Sequence, residues 1–166
     1  MTFAELDTEL GRMPHSGYAP FMLSLSEGAD NELTVRIASS YAGDPHETVE
    51  DEEPNPALRR LLNKSRPLLP DEKRVYDITF EDYIIYQVGN ESYCSGDPNE
   101  RFSGKFLRIC EKSALLRRLG EFSDAQTLAD GTYYPGKWTH YEIVTQNHII
   151  DVVSAHEPVV NIKIGT

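Results

Sequence analysis

The sequence predicts an α+β fold, a mostly antiparallel β-sheet of seven to eight strands with about three short helices. Three observations carry this. Apolar and polar residues alternate with period two over several segments, the pattern of half-buried antiparallel strands. Three short stretches instead repeat apolar residues every three or four positions, as an amphipathic helix does. The helical stretches do not alternate with the strands, which excludes a doubly wound parallel sheet. The 166 residues, 39% of them hydrophobic, make one domain's worth of chain, 1–166. Folding at that size hides about 70% of the unfolded surface, so a core forms without metal or disulfide staples.

The first element is a helix. Thr2 and Glu5 fit a capping box, Phe3, Leu6, Leu10 and Met13 make its apolar stripe, and Gly11 and Pro14 end it. A hairpin follows. Phe21, Leu23 and Leu25 alternate on one arm and Leu33, Val35 and Ile37 on the other, around the turn formers of Glu27–Asn31. Residues 43–54 crowd Asp44, Glu47, Glu50, Asp51, Glu52 and Glu53 among prolines, which reads as an exposed, mobile acidic loop. Asn55 then caps a helix whose Leu58, Leu61 and Leu62 share a face.

From Val75 to Val88 two alternating runs flank Glu81-Asp82, as two strands around a tight turn or one bent strand with a bulge. A loop with Gly96, Pro98 and Gly104 leads to a short strand, Lys105–Cys110. Ser113 caps a third helix with Leu115, Leu116, Leu119 and Phe122 inward, followed by a loop over 123–137. Strand-like segments at 138–145, 149–154 and 159–164 close the chain. The first two of these form a hairpin around Gln146-Asn147-His148 or one long bent strand.

Composition excludes more than it assigns. Lys and Arg number 16 against 27 Asp and Glu, a net charge of −11, so neither nucleic acid nor an anionic membrane is an expected partner. A basic protein is, because opposite fields speed encounter. No apolar run approaches the roughly 20 residues of a membrane helix, and the acidic N-terminus lacks a leader's apolar stretch, so a cytoplasmic location is expected. Phosphate-cradling glycine loops, nucleophile elbows, zinc-protease helices and calcium loops are absent from the sequence. No cofactor is expected.

Two polar clusters are candidate sites. Asn90, Glu91 and Tyr93 follow an apolar strand, where sites commonly sit, with Glu91 as base or partner-binding carboxylate. His140, His148 and Asp151 lie in the terminal strands, and a hairpin there brings the histidines near one another, with a carboxylate to orient a base. The plainer reading of both is structural: turn closure at 90–93, and imidazoles that pack and hydrogen-bond without chemistry. A zinc site from Cys94, Cys110, His140 and His148 matches no ligand spacing, so no metal is expected.

The stretch Phe80–Cys94, with Glu111–Leu116, His140–Ile143, Asn147–Ser154 and Pro158, resembles a family of bacterial proteins of unknown function in order and spacing over about residues 75–162. Gly89 departs from the charged residue more usual in that pattern. The resemblance implies a bacterial, soluble, single-domain protein and brings no catalytic residues with it. Charge, the acidic loop and the missing catalytic motifs point to a non-enzymatic protein-binding role, including an immunity-type inhibitor of a toxin. The alternative is a small enzyme or ligand-binding domain with its polar site around Glu91 and His148.

Overall fold

The computed structural model describes residues 1–13, 17–44, 55–62 and 65–163. The elements in chain order are α1 (Phe3–Arg12), β1 (Phe21–Glu27), β2 (Leu33–Ala42), α2 (Pro56–Leu62), β3 (Leu68–Phe80), β4 (Tyr83–Asn90), β5 (Arg101–Ser103), β6 (Leu107–Lys112), α3 (Ala114–Phe122), β7 (Gln126–Thr127), β8 (Tyr133–Tyr134), β9 (Thr139–Val144), β10 (His148–Ser154) and β11 (Val159–Lys163). The fold is α+β and its strand pairings are antiparallel, as the alternation predicts. The strands exceed seven or eight because β5, β7 and β8 are only two or three residues long, too short for a period to show.

The strands divide between two main sheets. One runs β1-β2-β3-β11 and the other β4-β10-β9-β6-β5, with β7-β8 a separate ribbon. The chain changes sheet at Glu81-Asp82, so the segment from Val75 is two strands. The turn at 145–148 makes β9 and β10 a hairpin. Leu33, Val35, Ile37, Tyr76, Ile78 and Phe80 of the first sheet face Leu107, Tyr141, Ile143, Ile150 and Val152 of the second across one core.

Helix α1 seals that core with Phe3, Leu6 and Leu10, all buried. The Phe3 and Tyr141 rings meet edge to face at 5.1 Å. The predicted capping box is present, with Thr2 Oγ1 accepting from the Glu5 amide and Glu5 from the Thr2 amide. One contact had no sequence signal: the Asp7 carboxylate accepts from the amides of Lys105, Phe106 and Leu107 at 2.8–2.9 Å. It clamps α1 to the β5–β6 turn, where Gly104 takes φ +95° against the Leu107 carbonyl, a conformation and a gap that exclude a side chain.

Two helix faces differ from expectation. Leu58 and Leu61 of α2 are exposed rather than packed. Phe122 of α3 is 53% exposed rather than inward, and lies under the Arg118 guanidinium. Among the described residues no helix is long and apolar enough to cross a membrane. The acidic stretch 45–54, read as a mobile loop, lies outside the described residues.

Candidate functional site

The six candidate residues separate into two places. Strand pairing sets Val153 opposite His140 and Asn90 opposite His148. His140 and His148 are therefore five residues apart along the hairpin, about 17 Å at strand rise. Asp151 stays with His140, while Asn90, Glu91 and Tyr93 gather near His148.

The first place lies on the outer face of the five-stranded sheet, where two adjacent rungs form. One rung reads Ile85–Val153–His140–Cys110–Phe102 and the next Gln87–Asp151–Glu142–Arg108. Helix α3 roofs the apolar end of the first, packing Leu115, Leu116 and Leu119 with Ile85, Val153 and Trp138. Its N-cap Ser113 reaches the ring of His140, with Oγ 2.8 Å from Nδ1, and Nε2 stands 2.9 Å from Asp151 Oδ1. Gln87 Nε2 donates to the other Asp151 oxygen at 2.8 Å. Asp151 accepts only, so Nε2 carries a proton. In the neutral ring, Nδ1 then accepts from the Ser113 hydroxyl.

This Ser–His–Asp chain lacks what a nucleophilic triad needs. Ser113 and His140 are 1% and 3% exposed, so no substrate reaches the hydroxyl. Ser113 Oγ also takes the Leu116 amide at 3.1 Å, and Glu100 takes the Ala114 amide at 3.1 Å. Two of the helix N-terminal amides that would hold an oxyanion are thus engaged, one of them by a carboxylate.

The surroundings favour neutral groups. Burial pushes the Cys110 thiol up to about 12, and the carboxylates of Glu142, Asp151 and Glu100 add to it. The thiolate needed for nucleophilic attack is suppressed. Burial likewise raises the Glu142 carboxyl above its ordinary range, although Arg108 Nη1 donates to it at 2.8 Å. Among the described residues no group of three or more His, Cys, Asp or Glu is arranged to hold a metal ion.

The second place is a corner of the same sheet. Asn90 Oδ1 accepts from the Ser92 amide at 3.1 Å and so caps a short 3-10 turn, Glu91–Tyr93. His148 is fixed by its backbone, with its amide donating to Thr145 Oγ1 at 3.1 Å. The Glu91 side chain is exposed and Tyr93 is 87% exposed. The Cys94 sulfur lies over Gly89, only 2.5 Å from where a Cβ there would stand, so a side chain at 89 requires the exposed Cys94 to turn aside. Open grooves are found elsewhere on the described surface, about 790 Å³ beside Tyr41, Leu69 and Asp71, and about 460 Å³ beside Glu9, Arg74 and Tyr76.

Sequence reasoning missed Ser113 as a partner of His140, and missed Gln87, Glu142 and Arg108 altogether. Hairpin register was the signal: pairing 145 with 148 places residues 140, 142, 151 and 153 on one face.

A third feature also emerged only in the fold. The β1–β2, β3–β4 and β10–β11 connections lie side by side, since Glu27 pairs with Leu33, Leu33 with Phe80, Ser154 with Tyr83 and Val159 with Thr79. They carry Glu27, Asp30, Glu32, Glu81, Asp82 and Glu157, and no Lys or Arg. Tyr83 and Tyr86, stacked edge to face at 5.0 Å, both donate to Glu27 Oε1, at 3.1 and 2.9 Å. Comparison of the chain with family models, curated proteins and solved structures finds no match. The likeness drawn over residues 75–162 therefore adds no assignment.

Proposed function

We propose that the chain is a non-enzymatic binding protein whose partner is a basic protein, in the manner of an inhibitor that neutralises a cationic toxin. The observation that carries this reading is the gathering of Glu27, Asp30, Glu32, Glu81, Asp82 and Glu157 at one end of the two sheets, in a chain of net charge −11. A single-sign field of this kind accelerates encounter with a cationic surface and repels polyanions. Tyr83 and Tyr86 beside it supply amphipathic area with little rotamer entropy to lose. The walled-in His140 chain supports the same reading, because it offers no reacting atom to a substrate.

Affinity capture tests it. The chain, immobilised, should retain a stoichiometric basic protein from extracts of its own cells, and raising the salt should weaken retention steeply. Reversing Glu81, Asp82 and Glu157 to lysine together should abolish retention while leaving the unfolding midpoint near that of the parent chain. A retained protein that is acidic, or that ignores both salt and charge reversal, would overturn the proposal.

A further inference from the structure

The edges of the two sheets are guarded unequally. β1 carries a bulge at Leu23 and ends in Glu27, β5 is three residues long and opens with Arg101, and β11 ends in Lys163. Charges, bulges and shortness are the devices that discourage a sheet edge from pairing. β4 is the outer strand of the five-stranded sheet, and its eight residues, Tyr-Ile-Ile-Tyr-Gln-Val-Gly-Asn, include no charge and no proline. Its one irregularity falls at Ile84, which leaves 85–90 in unbroken register with β10.

The hydrogen bonds say which backbone groups of β4 face outward. Glu91 N–H donates to the Asn147 carbonyl at 3.1 Å, just beyond the Asn90–His148 pair. That marks Asn90–His148 as a non-hydrogen-bonded pair, so Gly89–Ile149 and Gln87–Asp151 are bonded ones. The N–H and C=O of Tyr86, Val88 and Asn90 therefore point away from β10. The Thr145 amide, donating to the His148 carbonyl at 2.9 Å, agrees by turning His148 toward β9. No strand lies beside those outward groups among the described residues, and the Val88 side chain is 44% exposed.

Charge brackets this open edge. Glu81, Asp82 and Glu27 stand at its start and Glu91 at its end, with the length of β4, about 24 Å at strand rise, between them. We propose, resting on the basic-partner reading, that β4 takes up an extended segment of the partner as an added antiparallel strand, one with an uncharged centre and Lys or Arg at both ends. Backbone bonds to Tyr86, Val88 and Asn90 supply affinity, and the flanking carboxylates select the basic ends. A second copy of the chain fits poorly. Antiparallel pairing of two β4 edges sets Glu81 and Asp82 of one against Glu91 of the other, like charge on like charge.

The test uses a peptide of six alternating threonines and valines flanked by two lysines at each end, with a glutamate-flanked counterpart. The lysine peptide should bind, slow amide exchange at Tyr86, Val88 and Asn90, and weaken with salt. Val88→Pro deletes an outward amide that β10 does not use, so the ladder survives while binding falls about tenfold or more. Val88→Thr, which keeps that amide, should leave binding within about twofold of the parent. Exchange protection on the unsubstituted chain decides the matter even if Val88→Pro fails to fold.

Protection elsewhere, equal binding of the glutamate peptide, indifference to Val88→Pro in a folded variant, or a β4-mediated dimer would each overturn the proposal. A captured basic partner that is sensitive to salt yet indifferent to Val88→Pro would remove the edge and leave the functional reading standing.

Discussion

Each sheet carries an arginine–carboxylate pair across neighbouring strands on the face turned from the shared core, and the two pairs are opposite in character. Arg36 of β2 grips Asp77 of β3 with two bonds of 2.6 and 2.9 Å, and Lys163 of β11 approaches the same carboxylate at 3.5 Å. The Arg36 hydrogen bonds hold the Asp77 carboxyl below its ordinary range, with the charges of Arg36 and Lys163 adding to the effect. Arg108 of β6 makes one bond to Glu142 of β9, whose rung neighbour is Asp151. Burial there outweighs the arginine, and the Asp151 charge pushes the same way. A close ion pair is thus a poor guide to what its carboxylate does. The balance of donors and like charges around it decides, and on the sheet roofed by α3 that balance favours fixed, neutral groups over reactive ones.

The largest break in that contrast should come from His140→Ala. The ring is buried and bridges Ser113 to Asp151, so its loss leaves a half-buried carboxylate and a capping hydroxyl short of a partner, beside a new void. The expected cost is about 2–4 kcal/mol, seen as a fall of roughly 1–2 M in the urea midpoint. A change below about 0.5 kcal/mol would show that the chain of hydrogen bonds is not structural.

Asp77→Asn and Glu142→Gln sharpen the contrast through pH. A depressed carboxyl such as Asp77 adds stability that is present above the unfolded value, about 3.9, and is lost as pH falls through its lower folded value. Asp77→Asn should therefore cost about 1–2 kcal/mol at pH 7 and flatten the acid limb of the stability profile. A raised carboxyl runs the other way. With Glu142, stability is greatest below about 4.3 and declines as pH rises toward the higher folded value. Glu142→Gln should remove that decline and change stability at pH 7 by less than about 1 kcal/mol, since Gln still accepts from Arg108. Parallel pH profiles for the two variants would mean that burial at Glu142 and the donors at Asp77 are not what separates the two pairs.

The contrast also shows what could be read in advance. Alternation announced the long strands, and a short polar code announced the caps at Thr2, Asn55 and Ser113, because both are local properties of the chain. Pairing between distant segments has no local code. The alternation marked Glu81-Asp82 as a turn or a bulge but not as the place where the chain changes sheet, and the reach of Asp7 to amides near residue 106 left no mark at all. The candidate site was half legible for the same reason. The turn at Asn90 is a local pattern and so legible, but whether His148 or Asp151 stood beside His140 depended on where the hairpin turned.

The smallest expected effect belongs to His148→Ala. His148 sits on the same strand as Asp151, yet among the described residues only its backbone makes hydrogen bonds, to Thr145, and alanine keeps all of these. Urea unfolding should shift by about 0.5 kcal/mol or less, in contrast to His140→Ala. The pair of variants isolates position from residue type, because the two imidazoles belong to one hairpin and differ in whether the ring has partners. Equal losses would place a hidden partner at the His148 ring and would make the Asn90–Glu91 corner as rigid as the α3-roofed face.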